Sequence, residues 1–322
     1  MPPANFIRRR WLSVLLALAL PAIAGAQGGR GNLSADLREA TDLMRAGKTA
    51  EAIAAAKREA AANPSSADAA SLLDVLGATA DARVIWQRRI DGAADPAAKA
   101  AAQRAMAVSY AFDGQGANAL KCEELVIAYW QTREQAEPQN AFYQEGEIAN
   151  EAARICLDAG DIDLAERWYR KGAELGLKEP EPKTHPKSLW DYRLAHALGR
   201  LAARQGKNAE AQKQIAAARK ILDADPQMAA QQERFFPYLV GYVALYTNDL
   251  KTAETELTKA VATAGNQGDP FMTCLLAITY EHRGDLAKAK ELYAKAYGLA
   301  TAHNPPAAFA RPLARRKLAE LK

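Results

Sequence analysis

The sequence predicts an all-α protein built from repeated helical hairpins, and three observations predict it. From about Ser34 to the end, apolar residues recur at steps of three and four, and no stretch alternates as a half-buried strand would. The helical runs are broken at short turns such as Gly284-Asp285, where glycine ends one helix and aspartate caps the next. The break then recurs along the chain with the same kinds of residue at fixed distances from it.

The clearest unit is Thr273 to Ala300. Leu276, Ala277, Ile278 and Tyr280 precede the turn, and Ala289, Tyr293 and Ala296 follow it on one helix face. Small Ala277 and Ala289 allow two helices to cross closely, and Tyr280 and Tyr293 fill the space beside them. Taking the turn residue as anchor, the same unit is found at Gly47, Gly77, Gly114, Gly160, Gly206, Asn248 and Gly284. Seven positions earlier stand Ala40, Ala70, Ala107, Ala153, Gly199, Gly241 and Ala277. Five positions later stand Ala52, Ala82, Ala119, Ala165, Ala211, Ala253 and Ala289. A large apolar residue lies nine positions after the anchor at Trp86, Tyr169, Ile215, Leu257 and Tyr293, but Ala56 and Glu123 break that column.

This pattern resembles the tetratricopeptide repeat, which reads Leu-small-x-x-Tyr, Gly, then Ala-x-x-x-aromatic-x-x-Ala. The anchors are 30, 37, 46, 46, 42 and 36 residues apart, so several units carry insertions relative to that family's 34-residue period. The resemblance implies a right-handed α-solenoid of about seven hairpins over residues 34–302, one continuous core, and a capping helix over the last apolar face in residues 303–322.

In order along the chain, residues 1–26 read as a secretory signal peptide. Arg8, Arg9 and Arg10 precede a largely apolar ten-residue run, Trp11 to Leu20, too short to span a bilayer, and Ala24-Gly25-Ala26 forms a small-x-small cleavage site. No lipid-accepting cysteine follows, so the expected product is a periplasmic or secreted chain with no stable membrane insertion. Residues 27–33 form a flexible, glycine-rich leader. Lys178 to Pro186 is a proline-rich connection in which a helix cannot continue. Pro237 starts or kinks the helix that contains it, and Pro312 falls inside the last one, which need not be straight there.

The chain carries net charge +4; removing residues 1–26, which hold three arginines and no acid, leaves +1. That excludes the broad basic face of a nucleic-acid binder. Of the three cysteines, Cys122 and Cys156 fall on helices that neighbour each other and could pair in an oxidising compartment; the simpler reading is three small apolar residues. His185, His196, His282 and His303 form no zinc-peptidase motif, there is no nucleophile elbow or phosphate loop, and no cofactor or metal is implied. Glu123 and Glu124 read as part of a solvated helix face.

What remains is a surface. In proteins of the resembled family the first helix of each hairpin lines a concave groove. Carried onto this chain, the groove positions are Glu147, Asn150, Arg154 and Asp158, then Arg193, His196, Arg200 and Arg204. Phe235, Tyr238, Tyr242 and Tyr246 follow, and last Phe271, Glu281 and His282. An arginine stripe beside a tyrosine stripe suits an extended or acidic peptide, since arginine presents a fork of donors and tyrosine a rigid amphipathic area. The expected function is a non-catalytic protein- or peptide-binding scaffold of the bacterial cell envelope. The alternative is an envelope or cell-wall assembly helper that recognises a saccharide or peptidoglycan peptide.

Overall fold

The computed structural model describes residues 33–321; the expected signal peptide, residues 1–26, and all but the last residue of the leader lie outside the described residues. Seven helical hairpins follow one another: α1 (Ala35–Arg45) with α2 (Thr49–Ala62), α3 (Ala67–Leu76) with α4 (Thr79–Asp91), and α5 (Pro96–Phe112) with α6 (Gly116–Gln131). Next come α7 (Pro138–Asp158) with α8 (Ile162–Leu177) and α9 (Lys187–Arg204) with α10 (Asn208–Ala224). The short α11 (Pro226–Gln232) is an insertion before α12 (Phe236–Tyr246) with α13 (Leu250–Ala262). The chain ends with α14 (Pro270–His282), α15 (Leu286–Leu299) and the final helix α16 (Pro305–Glu320). Each hairpin packs on the next, so the molecule is an α-solenoid with no strand among the described residues.

The repeat columns have a common physical cause. All seven anchors take a left-handed backbone, with φ between 64° and 90°, Asn248 being the one residue other than glycine to do so. At each anchor the following residue's N–H returns to the carbonyl five residues back, as in Lys48 to Leu43 or Asp285 to Tyr280, at 2.8–3.0 Å. This closes the helix end with the bond pair that a left-handed residue permits. Asp161, Asp249 and Asp285 then accept the backbone N–H three residues on and start α8, α13 and α15.

The alanines five residues after each anchor are all fully buried, at the crossing of the two helices of each hairpin. Gly241 is closer still: a Cβ there would come within 2.7 Å of Leu257 Cγ. Where the nine-after column departs from its apolar pattern, the structure corrects the sequence reading. Glu123 is not on a solvated face but fully buried, because helical periodicity, not polarity, decides which way α6 turns it. Neither of its carboxyl oxygens has a hydrogen-bond partner among the described residues. Burial, then nearby Glu151, pushes its pKa well above the usual range, against the pull of Arg104. Glu124, one residue on, is exposed.

The proline-rich connection is a tied loop. The carboxylate of Glu179, itself buried, accepts from the backbone N–H of Thr184 and His185, from the Thr184 hydroxyl and from His185 Nδ1. Pro237 falls in the first turn of α12, where its missing N–H has no intrahelical partner to lose. Pro312 sits within α16, which continues through it. Cys122, Cys156 and Cys274 are unpaired.

The last helix does more than cover the final hairpin. It lies against α14 and α15, and its other side meets α5, α7 and α3, so the end of the solenoid touches its second hairpin. His303, just before α16, places Nε2 2.9 Å from Asp74 Oδ2 on α3. Its ring lies between Trp86 and Phe112, with centroids at 5.2 and 5.8 Å. Arg311 donates to the carbonyls of Val75, Tyr297 and Ala300. These contacts span 229 and 236 residues of sequence.

Candidate functional site

The candidate groove positions lie at different depths, and Glu281 turns instead to Tyr293 and Lys317. Arg200 is almost fully buried, at 6% exposure. Its guanidinium donates to the hydroxyls of Tyr238 at 3.2 Å and Tyr169 at 3.1 Å, and its Nε to the carbonyl of His196 at 3.4 Å. The rings of Tyr169, Tyr238 and Tyr242 stand 5.5–5.8 Å from it, close enough for cation–π attraction. A buried cation of this kind needs such partners, since desolvating it without them is costly. The sequence places Arg200 and Tyr242 at the groove surface. The structure places them beneath it, Tyr242 at 1% exposure, as the joint between consecutive hairpins.

His196 belongs to the same joint. Burial, then the charge of Arg200, lowers its pKa well below the usual value, so the ring is neutral and Nε2–H donates to the Phe235 carbonyl at 3.3 Å. Tyr238 is buried beside it, with ring centroids 5.4 Å apart. Arg193 is half-buried against Tyr143 and Trp190 and pairs with Glu147. Asn150 turns toward α8, its Oδ1 only 2.7 Å from where a Cβ on Gly172 would lie. These residues hold hairpins together.

The open part of the face is smaller. Arg204 is half-buried; it donates to the Tyr242 hydroxyl at 3.2 Å and lies 4.8 Å over the ring of Tyr246. Tyr246 is 38% exposed and packs on Tyr242 with centroids 4.6 Å apart. Asp158 is exposed at its surface but crowded by neighbouring protein groups. That crowding pushes its carboxyl up to about 6, against Arg204 and Arg154, which pull it down. Arg154, one turn before it on α7, lies 5.8 Å over Phe309 of α16, and Phe309 meets Phe271 edge-on at 5.5 Å. His282 is exposed at the rim. Two guanidiniums and a carboxylate beside an exposed aromatic ring can recognise polar and charged side chains. No group here is held against a second one as a nucleophile and its base would be.

The sequence reading missed the far side of this face. Asp74 is a fully buried carboxylate that accepts from Trp86 Nε1 at 2.9 Å and Ser109 Oγ at 2.6 Å as well as from His303. The available signal was a lone charge inside the apolar run Leu72-Leu73-Asp74-Val75-Leu76.

No protein-family model matches the chain, and no curated protein matches it. Among solved structures the chain is similar to the crystal structure of the P58(IPK) TPR domain, at 10% identity over 88% of this chain and 98% of that one. The TM-score of 0.26 is too low to carry an argument, so the description as a solenoid of tetratricopeptide-like hairpins stands on the anchors, the alanine columns and the hairpin packing. No described helix is long and apolar enough to cross a membrane.

Proposed function

We propose that the protein is a non-catalytic, protein-binding scaffold of the bacterial cell envelope. The observation that carries this reading is the division of the inner face. Arg200, His196, Tyr238 and Tyr242 are consumed in holding hairpins together, whereas Arg204, Tyr246 and Asp158 remain accessible between α7, α9 and α12. A partner segment laid along the groove meets an aromatic platform, two guanidiniums able to fork onto carboxylates or carbonyls, and one carboxylate that limits how acidic that segment can be. The envelope location is supported by the basic, apolar and small-residue order of residues 1–26.

The test is a photo-crosslinking residue in place of Tyr246 in the exported full-length chain. The expected result is a discrete adduct in the envelope fraction that Arg204→Ala depletes. Loss of the charge-assisted contact should weaken binding by about 1.5–3 kcal/mol, one to two decades of affinity. Adducts that are absent, or unchanged by Arg204→Ala, would place binding elsewhere. N-terminal sequencing of the exported protein should begin at Gln27.

A further inference from the structure

The slot that α16 fills has features a cap does not require. A cap needs to cover only the last hairpin. Here Val75, Val108, Ala111, Phe112 and Ile155 of the second, third and fourth hairpins share one apolar cluster with Phe309, Ala310 and the residues of α14 and α15. Those residues are spread over the inner faces of α3, α5 and α7, so the helix is gripped from two sides.

The polar contacts are matched to a helix carrying arginine. The carbonyls of Val75 near the end of α3 and of Tyr297 and Ala300 at the end of α15 converge on one guanidinium, and both helix ends carry negative partial charge. Arg311 is 4% exposed, and no ion pair accompanies it among the described residues. Gly77 leaves room for Arg315: a Cβ there would lie 2.6 Å from its Nη1. On the helix itself Ala307, Ala308, Phe309, Ala310 and Ala314 are buried, while Arg315 and Arg316 are exposed. The helix is joined to α15 by a short connection, residues 300–304.

We infer that this slot is a receptor for an alanine-rich, arginine-bearing helix of a partner protein, and that α16 occupies it in cis as the resident ligand. The inference rests on the scaffold reading above and adds the chemistry of a partner to it. A tethered helix competes at an effective concentration on the order of millimolar, so an incoming helix binds measurably only when α16 is loosened.

The experiment uses the full chain and a labelled synthetic peptide of residues 301–322, needs no natural partner, and so fails or succeeds independently of the crosslink at Tyr246. Two variants loosen α16: Phe309→Ala with Arg311→Ala, and the milder His303→Ala. Amide exchange reports whether residues 305–320 open while α1–α15 stay protected. The expected result is peptide binding about 100-fold tighter to the double variant than to the parent, an intermediate gain for His303→Ala, and loss of binding when the peptide itself carries Arg311→Ala. Four results would each overturn the inference. One is an opened α16 with no peptide binding. The second is loss of protection throughout α1–α15 in both variants, which would make α16 an obligate part of the fold. The third is an α16 that stays protected in both variants. The last is a dimer that exchanges α16 between copies and excludes the peptide, which would make the occupant a second copy of this chain.

Discussion

Glu123 shows how a single side chain can be legible and misread at once. The break it makes in the large-apolar column is visible in the sequence, yet acidic neighbours suggest a wet face. The column position, which four of the other units fill with the buried Trp86, Tyr169, Leu257 and Tyr293, was the better guide to its burial. Its raised pKa means that the folded chain holds the proton more tightly than the unfolded one. The contribution to stability is therefore complete at and below the ordinary carboxylate pKa and is lost as pH rises above it, by at most about 1.4 kcal/mol per pH unit for one group. Glu123→Gln should flatten the decline of stability between pH 5 and pH 8, measured by urea melts; an unchanged slope would show that Glu123 does not titrate in that range. Arg200 makes the opposite lesson. The resemblance to the repeat family placed it on the inner helix face but could not tell a surface from a joint, because that depends on Tyr169 and Tyr238 of two other hairpins. Arg200→Ala should cost at least about 2 kcal/mol through lost packing and orphaned hydroxyls, and Arg200→Lys should not restore it, lacking the fork. Arg204→Ala, half-exposed, should cost less than about 1 kcal/mol in the same melts.

At the scale of the helix, glycine has two roles that composition alone does not separate. Trp190 of α9 inserts its indole into a notch between α7 and α8 floored by Gly146 and Gly176. A Cβ on Gly176 would come within 2.1 Å of the ring, and one on Gly146 within 2.4 Å. Gly176→Ala should therefore displace Trp190 and cost about 1–3 kcal/mol. Gly298, in the last turn of α15, is exposed with nothing within 4 Å of an added Cβ, and Gly298→Ala should add up to about 0.5–1 kcal/mol from helix propensity. The same substitution is thus expected to act with opposite sign, and thermal melts that moved together would contradict the packing of α9 on α7 and α8. The hairpins themselves were legible because everything that makes one is local: a left-handed anchor, a cap, and alanines within twelve residues. The insertion α11 was not, since Pro226 and Pro237 announce breaks without saying what lies between them.

The meeting of α16 with α3 could not be read from the sequence, since no local pattern links Asp74 to His303 or Val75 to Arg311. It couples the two ends of the molecule. In an open solenoid each hairpin depends on its neighbours alone, so damage at one end stays there. Here Arg311→Ala should raise amide exchange in α3 as well as in α15 and α16, while α10 and α13 stay protected; a rise confined to α15 and α16 would mean that the far contact contributes nothing. The clasp also bears on how such a protein can change over generations. Open arrays lengthen and shorten by duplicating or deleting whole units. One extra hairpin between α3 and α16 would shift His303 by at least a helix-packing distance, roughly 8–10 Å, away from Asp74. The number of units is thereby held fixed, and variation is directed to the connections between hairpins, where the proline-rich loop and α11 already stand.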